Sequence, residues 1–239
     1  LAGVWTAQIL TLFPEACPGV LGESLTGRAL KDGKWALDTI DLRLFGEGKH
    51  RNVDDTPAGG GAGMVLKPNV VGAALDGALA QQKTRLPMVC LSPRGTPFTQ
   101  AKARAWANAG GVTMLCGRFE GIDQRVIDHY QLEEVSLGDF VLTGGEIAAQ
   151  AMIDATVRLL PDILGNEVSI AEESHMAGLL EHPHYTRPAL WNGRSIPDVL
   201  QSGHHINIAK WRQEMSQQVT KEKRPDLWAA FQNLSLIHI

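Results

Sequence analysis

Three stretches of this sequence end an apolar run in glycine: LSPRG (residues 91–95), CGRFEG (116–121) and LGDFVLTGG (137–145). Open α/β sheets bind ligands in the crevice outside the carboxyl ends of their strands. Three such turns there would offer backbone N–H and C=O groups, small residues and apolar walls. That combination suits a flat heterocycle read by main chain. For any single turn, closure of a tight αβ loop is explanation enough; three together weaken that account. No G-x-x-x-x-G-K-[ST] and no G-x-G-x-x-G follows the first apolar run, so a phosphate-binding P-loop and an ordinary dinucleotide fold lack their anchor. The third turn continues into Thr143-Gly-Gly-Glu146, the pattern of a capping box at a helix start. Its glycines let the backbone turn tightly and approach a ligand, beside the free N–H groups of a helix N-terminus. Two histidine pairs, His182/His184 in HPHYTRP and His204/His205, have no third ligand at useful spacing, so no metal is assigned to them.

Elements must hold these turns in place. VWTAQILTLFP (4–14) reads as a strand stopped by Pro14, and WALDTIDLR (35–43) alternates like a second one. Between them ESLTGRALKDG (23–33) reads as a short helix closed by glycine. Residues 46–63 are turn-formers and charges, a long loop of the kind that is uncommon unless it binds something. Helical patterns at 70–82, 99–110, 122–130 and 147–160 alternate with strand patterns at 86–95 and 112–121. Alternation of this kind predicts an α/β fold around a mainly parallel sheet. The acidic stretch DILGNEVSIAEES reads as a linker, residues 177–193 as irregular chain, and 206–220 and 225–234 as helices.

The chain has 239 residues, enough for one large domain or two small ones. No apolar run reaches the roughly 20 residues of a membrane span. LAGVWTAQIL carries neither a basic n-region nor a long apolar h-region, so no signal peptide is expected. Cys17, Cys90 and Cys116 are an odd, scattered set, which argues against a disulfide framework and fits a reducing cytoplasm. A net charge of −4 excludes a strongly basic coat but not a local basic face. Residues 176–239 hold seven bases against five acids, a weak hint of a polyanionic partner at that end.

HRNVDDTPAGGGAGM (50–64), LSPRG, CGRFEGIDQRV (116–126), GDFVLTGGE (138–146) and GLLEHPHYTRP (178–188) stand in the order of bacterial tRNA (guanine-37-N1)-methyltransferases. The chain resembles that family, a branch of the trefoil-knotted SPOUT methyltransferases, from LFPE (12–15) through WR (211–212). The resemblance implies an α/β fold with a mainly parallel sheet and a deep knot, a rare exception to un-knotted connections. It implies a knotted S-adenosylmethionine-binding domain over 1–164, a flexible linker over 165–175 and a small helical tRNA-binding domain over 176–239. It further implies a cytoplasmic homodimer with active sites at the subunit interface. The partner would be the anticodon stem-loop of tRNA, not DNA and not a membrane. A Mg2+ requirement is not legible in the sequence.

Carried over residue by residue, the cofactor would touch Cys90, Leu91, Ser92, Pro93 and Gly95 in the first turn. In the second it would touch Gly117, Phe119, Glu120 and Gly121. In the third it would meet Ser136, Leu137, Gly138, Asp139, Phe140, Val141 and Leu142, then Gly144 and Gly145. RNA would meet Asp54, Gly59, Gly60, His184, Tyr185 and Arg187. Glu173 stands where the family carries an aspartate base, and Arg158 aligns with its charge-stabilising arginine. Ala58 and Phe119 depart from an aromatic and a tyrosine respectively. A SPOUT enzyme acting on another RNA, and a non-catalytic ligand- or RNA-binding module, are the alternatives. A base beside a charge-stabilising arginine disfavours the module, because binding alone needs no base.

Overall fold

A computed structural model describes residues 3–164, 174–175 and 178–237. The chain divides into two compact units, Leu1–Gly165 and Asn166–Ile239.

The first unit is built on strands β1 (Trp5–Thr11), β2 (Trp35–Asp41), β5 (Met88–Pro97), β6 (Gly111–Cys116) and β7 (Glu133–Ser136). They form one sheet in the order β2-β1-β6-β5-β7, with every pairing parallel. All six residues of β6 are buried, as expected for a central parallel strand covered on both faces. Successive side chains point to opposite faces. Ile9 and Met114 therefore enter one core, while Leu10 and Leu115 enter the other. The first core is covered by α1 (Ser24–Lys31), α3 (Gln100–Asn108) and α5 (Glu146–Val157), through Ala29, Trp106, Met152 and Ile153. The second is covered by α2 (Pro68–Ala80) and α4 (Gln124–Tyr130), through Val70, Leu75, Val126 and Ile127. A short strand β3 (Asp54–Asp55) inside the expected long loop pairs antiparallel with β4 (Val65–Leu66) just beyond it.

Two local expectations are overturned. The capping box does not form: α5 begins at Glu146, its cap residue is Gly145, and no side chain caps it. Glu146 is instead drawn into the interior, where it is 3% exposed. Regular pairing ends at Ser136, and the apolar run at 137–142 leaves the sheet as a loop, with Phe140 and Val141 54% and 82% exposed. In β5, Leu91 and Thr96 both pair with Val135, so Ser92–Gly95 bulge out of the ladder. The first glycine turn is thus an excursion within a strand and not its end.

In the second unit β8 (Leu190–Trp191) and β9 (Arg194–Ser195) form a small hairpin in the stretch expected to be irregular. Its two-residue turn is Asn192-Gly193 with φ of 48° and 75°, the positive-φ pair that matches strand twist. Helices α6 (Asp198–Gln201), α7 (His205–Lys223) and α8 (Pro225–Ile237) follow. Thr220 of α7 is fully buried; its hydroxyl accepts from the Leu180 N–H at 2.8 Å and donates to the Ser216 carbonyl at 2.6 Å. Among the described residues no helix is long and apolar enough to cross a membrane.

Candidate cofactor cleft

The three glycine turns converge. Ser92, Pro93, Gly117, Phe119, Glu120, Gly121, Leu137, Phe140, Leu142, Gly144 and Gly145 all line one cleft of about 450 Å³ at the carboxyl end of the sheet. That volume lies within the range of small-molecule sites. Fifteen of the 18 cofactor positions expected from the resemblance border it; Gly95, Gly138 and Asp139 do not.

The chain path explains the convergence. From Ser136 on the edge strand, residues 137–145 return past β5 and dock on the end of β6, where the Gly145 N–H donates to the Gly117 carbonyl at 3.1 Å. A Cβ on Gly145 would stand 2.8 Å from the Cα of Cys116, closer than side chains approach backbone. Gly95 serves a neighbouring contact: its Cβ would stand 2.3 Å from the Val135 nitrogen. It therefore packs β5 against β7 and does not face the ligand space.

A polar clamp joins the second and third turns. Arg118 Nη2 donates to Glu146 Oε2 at 2.8 Å, and its Nη1 donates to the Thr143 carbonyl at 3.2 Å. Its guanidinium lies 4.4 Å from the centre of the Phe13 ring, a cation–π contact. The other Glu146 oxygen accepts from the Thr11 hydroxyl at 2.6 Å. Glu146 thus ties β1 to both turns. Sequence reading missed this clamp, because its partners lie 28 and 135 residues from Glu146 and no spacing rule links them. At the mouth Arg94 pairs with Glu134 at 2.9 Å.

The cleft holds no thiol nucleophile. Burial pushes the Cys90 thiol up to about 12, with the nearby Glu134 carboxylate adding to the rise. Burial also raises Cys116 well above the ordinary thiol range, so both stay neutral near pH 7.

The other expected residues fall in three places. Asp54 pairs with Leu66, and the Leu66 N–H donates to the Gly121 carbonyl at 3.0 Å, so the loop carrying Gly59 and Gly60 leans on the second turn. Gly59 and Gly60, with φ of 93° and 80°, face open space. Arg158 is the C-terminal cap of α5, whose other end abuts the cleft. Twelve residues at 1.5 Å each put it about 18 Å away along the helix. His184, Tyr185 and Arg187 belong to the second unit. Tyr185 is 49% exposed and meets Trp211 edge-on at 6.1 Å. His184 pairs with Glu181 at 2.9 Å. Glu173 lies outside the described residues.

An all-parallel sheet covered by helices on both faces, with a carboxyl-end cleft walled by main chain from three turns, defines an α/β protein with a small-molecule cleft. The chain belongs to the tRNA (guanine-1)-methyltransferase (TrmD) family, whose description matches residues 6–230. It is 65% identical over 232 residues to a protein of Ruegeria sp. (strain TM1040) named tRNA (guanine-N(1)-)-methyltransferase, covering 97% of this chain and 95% of that one. A protein of the same name from Cereibacter sphaeroides (strain KD131) is 65% identical, covering 97% and 94%. One from Brucella ovis is 56% identical, covering 96% and 93%.

Proposed function

We propose that this protein transfers a methyl group from S-adenosylmethionine to N1 of guanine 37, beside the anticodon of tRNA, in the cytoplasm. The observation that carries the reading is the convergence of three backbone turns on one cleft, in a chain of the tRNA (guanine-1)-methyltransferase family. The donor set suits an adenosyl group: N–H and C=O groups for the base edge, and Leu91, Leu137 and Leu142 for its faces. When bound, S-adenosylmethionine supplies a methyl group made electrophilic by its sulfonium.

The protein's own tasks are then three. The cleft holds donor and acceptor in line, which lowers the barrier by removing entropy before the reaction. Glu173 takes the N1 proton of guanine as general base, leaving the N1 lone pair to accept the methyl group that the bound sulfonium would supply. Arg158 stabilises the negative charge that builds on O6. Arg158 stands about a helix length from the cleft of its own chain, which supports an active site completed by a second copy in a homodimer. In this reading the return of residues 137–145 past β5 is part of the family's knot. Gly59, Gly60, His184, Tyr185 and Arg187 contact the tRNA, the tyrosine by stacking and the arginine at phosphate.

The test is methyl transfer to unmodified tRNA transcripts carrying guanine or adenine at position 37. Methylation of the guanine transcript alone is expected. Equal transfer to both, or to neither, overturns the assignment. Light scattering should report a dimer at assay concentration.

A further inference from the structure

We infer that Glu181, His182 and His184 form a binding site for a divalent transition-metal ion such as Zn2+. This inference does not depend on the methyl-transfer reading. Spacing alone paired the two histidines without a third ligand; the fold supplies one in the residue immediately before them. One ligand atom from each of the three side chains lies within 4.8 Å of the other two.

Two features separate this cluster from an ordinary surface ion pair. The Glu181 carboxylate and His184 Nε2 are 2.9 Å apart, which a pair alone would explain. A pair has no use for the second ring, yet His182 packs beside His184 with ring centres 4.8 Å apart. The Nδ1 of His182 lies 3.2 Å from the Pro183 carbonyl, which fixes the proton on Nδ1 and leaves the Nε2 lone pair free. A backbone carbonyl holding the other ring nitrogen is the usual second-sphere arrangement of a metal-bound histidine.

The backbone beneath the cluster is also held. The Leu180 N–H donates to Thr220, the Leu180 carbonyl accepts from the Ser216 hydroxyl, and the Glu181 N–H donates to the Ser174 hydroxyl at 2.9 Å. The ring of His182 stands 6.2 Å from that of Trp211. Both sides of the segment are therefore anchored to α7 before any ion arrives. His184 is 67% exposed, so the outer side is open to water. Two imidazoles, one carboxylate and a water make a four-coordinate set suited to Zn2+. Two of the three protein ligands are nitrogen, which disfavours Mg2+ and Ca2+, ions that take oxygen.

The experiment is a calorimetric titration of tag-free, chelator-stripped protein with Zn2+ in excess Mg2+. One equivalent per chain is expected. Loss of an outer-sphere partner weakens a site roughly 10–100-fold, so His182→Ala and His184→Ala should each cost roughly 100-fold or more. Glu181→Gln should weaken binding as well, and the His204→Ala/His205→Ala double variant should bind as the parent does. A second measurement needs no variant: Co2+ bound to the parent protein should show the intense visible absorption of a four-coordinate ion. Absence of saturable binding, displacement by Mg2+, affinity unchanged in both histidine variants, or a weak six-coordinate Co2+ spectrum would each overturn the site.

Discussion

Replacing Glu146 by glutamine tests the clamp directly. The side chain keeps its length and one acceptor oxygen, but it loses its charge and turns an NH2 group toward either Thr11 or Arg118. Removing one partner of a buried ion pair costs about 3–5 kcal/mol. Two features reduce that figure here. The Arg118 side chain is 25% exposed, so water recovers part of its solvation. It also keeps the Thr143 carbonyl and the Phe13 ring. The remaining oxygen can satisfy the Thr11 hydroxyl or the guanidinium, not both. The expected loss is therefore about 2–3 kcal/mol, less than for a fully dry pair. For a domain of this size each kcal/mol lowers Tm by about 2–4 °C, so the shift should be about 4–12 °C by circular dichroism. Arg118→Gln placed in the same background should cost less than it does alone, because the interaction is already lost. Affinity for S-adenosylmethionine should fall together with stability, since the clamp holds two of the three turns. A Tm within about 1 °C of the parent, with additive double-variant energies, would refute the clamp.

Gly145→Ala and Gly95→Ala should each destabilise by about 1–3 kcal/mol in urea titrations, because each new methyl meets backbone at 2.8 or 2.3 Å. The first should also weaken cofactor binding, the second much less. Gly144→Val should lower both cofactor affinity and Tm, since a Cβ there meets Arg118 Nε at 2.1 Å and Glu146 Oε2 at 2.6 Å. Glu173→Gln should slow methyl transfer by roughly 10²–10⁴-fold with cofactor affinity unchanged, and Glu172→Gln should do little; a reversed order would move the base by one residue. Above pH 9, the ordinary thiol value, stability should fall as pH rises, because burial holds Cys90 up at about 12 and raises Cys116 as well. There the folded chain keeps a proton that the unfolded chain releases. Cys90→Ala should lessen that decline in urea midpoints measured from pH 8 to 11, leaving the part due to Cys116.

The order of β1, β2, β5 and β6 and of the helices between them was legible because each carries its own signal; β7 and the β3–β4 and β8–β9 pairs, with four residues or fewer per strand, were not read. The continuous apolar run of β6 and the glycines that close α1 and α3 are local marks, and the observed elements fall where those marks lie. The convergence of the three turns was legible in part: the second and third line the cleft with their glycines, whereas the first is an excursion within β5 whose Gly95 packs on β7. What escaped was tertiary. The Thr143-Gly-Gly-Glu146 pattern satisfies a capping rule, but the interior offers Glu146 an arginine and a hydroxyl, and these outweigh one N-cap bond. Residues 137–145 leave the sheet after β7 and dock on the end of β6, a path that no local signal in the sequence marks. Gly95 and Gly145 look alike in sequence; one touches β7 and the other β6, a difference that only the fold creates.

The hydrogen bond from Thr11 to Glu146 spans 135 residues, and it bears on how the protein is born. A ribosome delivers the N-terminal strand first. The threonine then waits, as Arg118 does once the second turn is made, until the start of α5 has left the exit tunnel. Contacts of such separation are late and slow to form. The ligand cleft therefore cannot close on a partly made first unit, and a chain released before residue 146 lacks the acid that joins its parts. Synthesis passes through a long interval in which the sheet is assembling while the pocket does not yet exist. A ligand that binds only the finished arrangement would then act on the completed fold by mass action and not as a template for it.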